Sequence, residues 1–60
     1  MDLAYGTKIF NHKTNEVGLF IKTWINKFAD KDIWYVTCVD QNGKRYNIEP
    51  DSITPLEDVE

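Results

Sequence analysis

The sequence predicts a small all-β domain, and three observations carry that prediction. Residues 33–39, Ile-Trp-Tyr-Val-Thr-Cys-Val, come from the β-branched, aromatic and neutral types that fit a pleated, half-buried surface. Asn42-Gly43 follows, a dipeptide that enters the positive-φ region of a hairpin turn at little cost, and residues 45–48 supply the returning strand. Elsewhere, short apolar stretches recur between turn-forming residues, and none is long enough to cross a membrane as a helix.

Taken in order, Gly6 leads into a first strand over Thr7 to Phe10, and Asn11 to Asn15 is a polar turn. Val17 to Thr23 is rich in β-branched and aromatic residues and reads as the second strand. Asn26 to Asp32 is polar apart from Phe28 and Ala29 and reads as a loop. Ile33 to Val39 and Arg45 to Ile48 form the hairpin. Pro50-Asp51-Ser52 marks a tight turn, and Ile53 to Leu56 closes the chain as a short edge strand, the place where Pro55 is tolerated without an N–H to donate. One rival pattern exists. Val17, Phe20, Ile21, Trp24, Ile25 and Phe28 recur at helical spacing, so a helix over residues 17–28 in an α+β domain is the alternative. Leu19 breaks that stripe, and Gly18 would weaken its first turn.

The Asn-Gly turn leaves two registers open. A two-residue loop pairs Gln41 with Lys44, whereas a three-residue loop with a glycine bulge at Gly43 pairs Asp40 with Lys44. The second is preferred because it gathers an apolar set. Trp34, Val36 and Cys38 then share the inner face with Tyr46 and Ile48, and Arg45 and Asn47 share the outer face with Tyr35, Thr37 and Val39.

Sixty residues make one domain, spanning 1–60, which buries about 60% of the surface of its unfolded chain and has a stability margin of a few kcal/mol. The net charge of −3 conceals an asymmetry. Residues 49–60 hold Glu49, Asp51, Glu57, Asp58 and Glu60 with no base, while all seven Lys and Arg residues lie before them. The body is therefore mildly basic, and the tail from about residue 57 is acidic and solvated. The one cysteine, Cys38, allows no intrachain disulfide, and no Cys/His cluster is spaced for zinc. Small extracellular domains depend on such staples, and Met1-Asp2-Leu3-Ala4 has neither the basic start nor the apolar run of a secretory leader. A cytoplasmic protein is expected.

The order strand, turn, Glu16-Val17-Gly18-Leu19-Phe20, loop, hairpin, short turn and edge strand resembles the SH3-like small barrels. Gly6-Thr7-Lys8-Ile9 followed by Asn15-Glu16-Val17-Gly18 is similar to the opening of KOW-type and Tudor-like barrels, and to small-barrel accessory subunits of photosynthetic electron-transfer complexes. Asp32-Ile33-Trp34-Tyr35-Val36 through Ser52-Ile53-Thr54-Pro55-Leu56 is similar to the second half of a eukaryotic SH3 domain. The resemblance implies a five-stranded SH3-like barrel with a short 3₁₀ turn before the last strand. It implies no ligand, because the acidic loop between the first two strands and the Ala-Leu-Tyr-Asp-Tyr segment of peptide-binding SH3 domains are missing.

No constellation for catalysis is visible. His12 is the single histidine, without convergent partners. Cys38 lies on a central strand, where a free cysteine acts as a small hydrophobe. Gly6, Gly18 and Gly43 are too far apart for a phosphate loop, and Glu49 and Asp51 around Pro50 suit turn capping. The expectation is a non-enzymatic protein with no cofactor and no metal. The informative feature is a face. With Val17, Leu19 and Ile21 inward, Phe20, Lys22 and Trp24 point outward beside Tyr35, Arg45 and Asn47. Aromatics interleaved with bases suit a protein partner or a second copy of the chain, and less well a single-stranded nucleic acid. No membrane and no small-molecule substrate is implied.

Overall fold

The computed structural model describes residues 3–56. Five antiparallel strands form one sheet: β1 Lys8–Asn11, β2 Glu16–Lys27, β3 Asp32–Val39, β4 Arg45–Ile48 and β5 Ile53–Pro55, with a 3₁₀ turn over Pro50–Ser52 before β5. The strand order is β4-β3-β2-β1-β5, a meander in which the last strand returns to the free side of the first. The all-β expectation holds, the 3₁₀ turn included. The helix alternative over 17–28 is replaced by a strand.

The turns follow from side chains that accept backbone hydrogen bonds. At the β3–β4 hairpin Asp40 Oδ1 accepts from the N–H groups of Asn42 and Lys44, each at 2.9 Å. Asp40 N donates to Lys44 O at 2.9 Å, and Gly43 takes a φ of 79° that only glycine adopts freely. This is the three-residue loop with a glycine bulge, so Val36, Thr37, Cys38 and Val39 face Ile48, Asn47, Tyr46 and Arg45 in that order. Between β1 and β2, Asn11 Oδ1 accepts from Lys13 N at 2.9 Å, and Asn15 closes the turn at a φ of 59°. Asn11 is not part of that turn but ends β1 and is buried.

Pairing of β2 with β3 departs from regular alternation at one place. Phe20 lies opposite Cys38 and Lys22 opposite Thr37, so Ile21 is the extra residue of a β-bulge. An extra residue shifts the phase of the strand. Before the bulge Gly18 and Phe20 face inward; after it Thr23 and Ile25 do. Val17 and Leu19 therefore share the outer side with Lys22 and Trp24. The helix-like spacing marks no single face of this strand: Val17 and Trp24 lie on the outer side, Phe20 and Ile25 on the inner side, and Ile21 in the bulge between them.

Ile9, Phe20, Val36, Cys38, Ile48 and Ile53 form the core, one or more from every strand, with Leu3 and Tyr46 packed against it. Gly18 makes that packing possible. A Cβ at this position would stand 2.7 Å from Val39 O and 3.2 Å from Tyr46 Oη, so the missing side chain is where the Tyr46 hydroxyl lies. The segment expected as a loop over 26–32 is strand at its two ends and open only over 28–31: Asn26 pairs with Ile33 and Lys27 with Asp32, and Phe28 N donates to Lys31 O at 2.8 Å across the tip. Its polar residues are compatible with a strand because this stretch stands away from the core. A twelve-residue strand spans about 40 Å, which accounts for the 44 × 23 × 18 Å extents.

Candidate interaction face

The outer side of the sheet is built in three rows across neighbouring strands. Leu19, Val39 and Arg45 form the first, Lys22, Thr37 and Asn47 the second, and Trp24 with Tyr35 the third. Side-chain hydrogen bonds tie the last two rows together. Trp24 Nε1 donates to Thr37 Oγ1 at 3.0 Å, and Thr37 Oγ1 donates to Asn47 Oδ1 at 2.8 Å. Each hydroxyl and amide atom in this relay has a role fixed by its neighbour, which holds Trp24 in one orientation. Tyr35 stacks on the Trp24 indole with centroids 5.0 Å apart and planes 26° from parallel, a contact worth about 0.5–1.5 kcal/mol beyond area burial.

Five of the six expected site residues, Lys22, Trp24, Tyr35, Arg45 and Asn47, share this side. Phe20 does not. It is 3% exposed and packs in the core opposite Cys38, because the bulge reverses the parity of β2 between Phe20 and Lys22. For the same reason Val17 and Leu19 are not core residues: they are 36% and 42% exposed. Ile21, also expected inward, sits half-buried in the bulge. Leu19 is thus the member of the face that the sequence pattern misses. Gly18 was the available signal, since a glycine flanked by Val17 and Leu19 marks a close backbone approach on its own side. Trp34 shares the inner side with Val36 and Cys38 but lies beyond the core and is 53% exposed.

His12, Lys13, Cys38 and Tyr46 have structural partners. His12 Nε2 is 2.6 Å from Thr54 Oγ1, and its ring meets the edge of Phe10. Lys13 Nζ pairs with Glu49 Oε2 at 3.1 Å on the surface, a contact of little energetic weight. Cys38 is fully buried, and burial pushes its thiol above the usual 9.0, with a hydrogen bond to Tyr46 acting the other way. Burial likewise raises the Tyr46 phenol above 10.0, opposed by its hydrogen bond with Asn11. Both groups stay neutral longer in the folded chain than in the unfolded one. Their stabilisation is complete below the unfolded values and disappears as pH rises through the folded ones. Denaturant midpoints should therefore hold level from about pH 6 to 8 and fall above about pH 9; midpoints that rise above pH 9 would contradict this burial.

No protein-family model matches the chain, and no curated protein or solved structure matches it.

Proposed function

We propose that this protein is a small non-catalytic interaction module that docks on another protein, or on a second copy of itself, through the outer sheet face of Lys22, Trp24, Tyr35, Arg45 and Asn47. The observation that supports the reading is the hydrogen-bonded Trp24–Thr37–Asn47 relay beneath the Trp24–Tyr35 stack. Aromatics fixed in this way lose little side-chain entropy on docking, and Trp, Tyr and Arg are the residues that dominate protein interfaces. Exposed Leu19 extends the apolar area beside Val39, which separates it from Arg45. Nucleobase stacking is less well served, because one face of the Trp24 ring is already taken by Tyr35.

The test uses the protein as bait in a lysate of cells that express it. Lys22→Glu with Arg45→Glu reverses two charges at strand positions outside the core, so the thermal melt should stay within about 0.5 kcal/mol of wild type. Wild type should retain a protein partner, or a second copy of itself, through nuclease treatment and through a rise from about 50 to 200 mM salt, a range over which nucleic-acid complexes weaken by orders of magnitude. The double variant should release it. Retention that vanishes with nuclease, or that the double variant leaves untouched, overturns the reading.

A further inference from the structure

The sheet is one strand narrower at one end of β3 than at the other. β4 pairs with β3 only from Val39 to Val36, whereas β3 runs on to Asp32 with β2 alone beside it. Backbone alternation identifies the groups left open. Asp40 bonds toward β4, so Cys38, Val36, Trp34 and Asp32 direct their N–H and C=O to that same side. The rung after Val36 and Ile48 would join Trp34 to Pro50. Pro50 has no N–H and begins the 3₁₀ turn, so the ladder ends there. Among the described residues, no backbone hydrogen bond joins β3 to that turn.

Between the open edge and the turn lies a cleft of about 780 Å³. Its apolar lining is Trp34, Ile33 and Pro50, its charged lining is Asp32, Glu49 and Asp51, and no base lines it. Glu49 is engaged by Lys13. Asp32 and Asp51 have no side-chain hydrogen bond or ion pair among the described residues. Asp32 and Trp34 are two residues apart on one strand, so their side chains stand on one side of the sheet, the side that faces the turn.

We infer that this cleft takes an extended basic segment of a partner polypeptide, added as a strand to the open edge of β3 with a lysine or arginine beside Trp34. The strand continues the ladder that Pro50 interrupts, bonding the backbone of Trp34 and Asp32. A residue opposite Trp34 projects to the same side as the indole. A cationic side chain there lies against the ring and between the carboxylates of Asp32 and Asp51, where cation–π and Coulomb attraction act together. An anionic strand is repelled by Asp32, Glu49 and Asp51.

The probe is a soluble peptide of about eight alternating lysine and threonine residues, followed by backbone NMR of the intact protein. Saturable shifts should centre on Asp32, Ile33, Trp34 and Asp51. Trp34→Ala, or Asp32→Asn with Asp51→Asn, should weaken binding by about tenfold or more; these positions lie outside the core, and unchanged melts confirm folding. N-methylation of alternate peptide amides removes one edge of donors and keeps the charge, and it should abolish binding. Equal binding by the methylated peptide, shifts centred on Trp24 and Arg45, or no saturable shift overturns the inference. Lys22→Glu with Arg45→Glu should leave peptide binding intact, which separates failure here from failure of the outer-face reading.

Discussion

Gly18→Ala is expected to destabilise the domain by about 2–3 kcal/mol, enough to unfold much of so small a protein at physiological temperature. A strand glycine replaced by alanine ordinarily gains about 0.5–1 kcal/mol, because the unfolded chain loses freedom. Here the new Cβ would stand 2.7 Å from the carbonyl oxygen of Val39. That atom is backbone of β3 and moves only if the β2–β3 ladder opens, whereas the second neighbour, Tyr46 Oη at 3.2 Å, could swing aside. The immovable contact decides the sign. Moving Tyr46 also disturbs its hydrogen bonds with Asn11 and Cys38, so the variant should lose near-ultraviolet tyrosine signal before it loses the sheet. A melting temperature equal to or above wild type would show that β2 and β3 do not approach as described.

Val36→Ala is expected to cost about 2–4 kcal/mol. Val36 is fully buried at the centre of β3, with Thr23 opposite on β2 and Ile48 opposite on β4. Removing two methyl groups leaves a void that strands on both sides, held by their ladders, cannot collapse into. At about 4–8 °C per kcal/mol for a domain of this size, the melting temperature should fall by roughly 8–32 °C or the variant should not fold. Val39→Ala, three residues along on the outer side, is the matched control and should move the transition little. A reversal of the two effects would place the opposite side of β3 in the core.

What was legible in the sequence divides at the bulge. The β3–β4 hairpin could be read completely, because Asn42-Gly43 offered two registers and only one put Tyr46 and Ile48 with Val36 and Cys38. The 3₁₀ turn and β5 were announced by Pro50 and Pro55, whose missing donors restrict where they fit. The inward set Val17, Leu19 and Ile21 was wrong, since strict alternation was carried through a strand that contains an extra residue at Ile21. A bulge is stabilised by tertiary pairing and has no composition of its own, so nothing in Phe20-Ile21-Lys22 declares it. The error cost the site one residue, Phe20, and left the rest standing, because the outward placement of Lys22 and Trp24 matched the phase that follows the bulge. The length of β2 and β3 beyond the core was missed for a related reason. Asn26, Lys27 and Asp32 are polar, and polar residues on a two-stranded ribbon look like loop when judged by hydrophobicity alone.

Photo-cross-linking in cells that express the protein decides whether a partner docks on the outer face. A photoreactive phenylalanine analogue is placed in turn at Lys22, at Arg45 and, as a control, at Thr14 in the β1–β2 turn, all three exposed. Positions 22 and 45 should capture the same protein, or a second copy of this chain, and position 14 should capture neither. Equal capture from all three positions, or capture from position 14 alone, would contradict docking on that face.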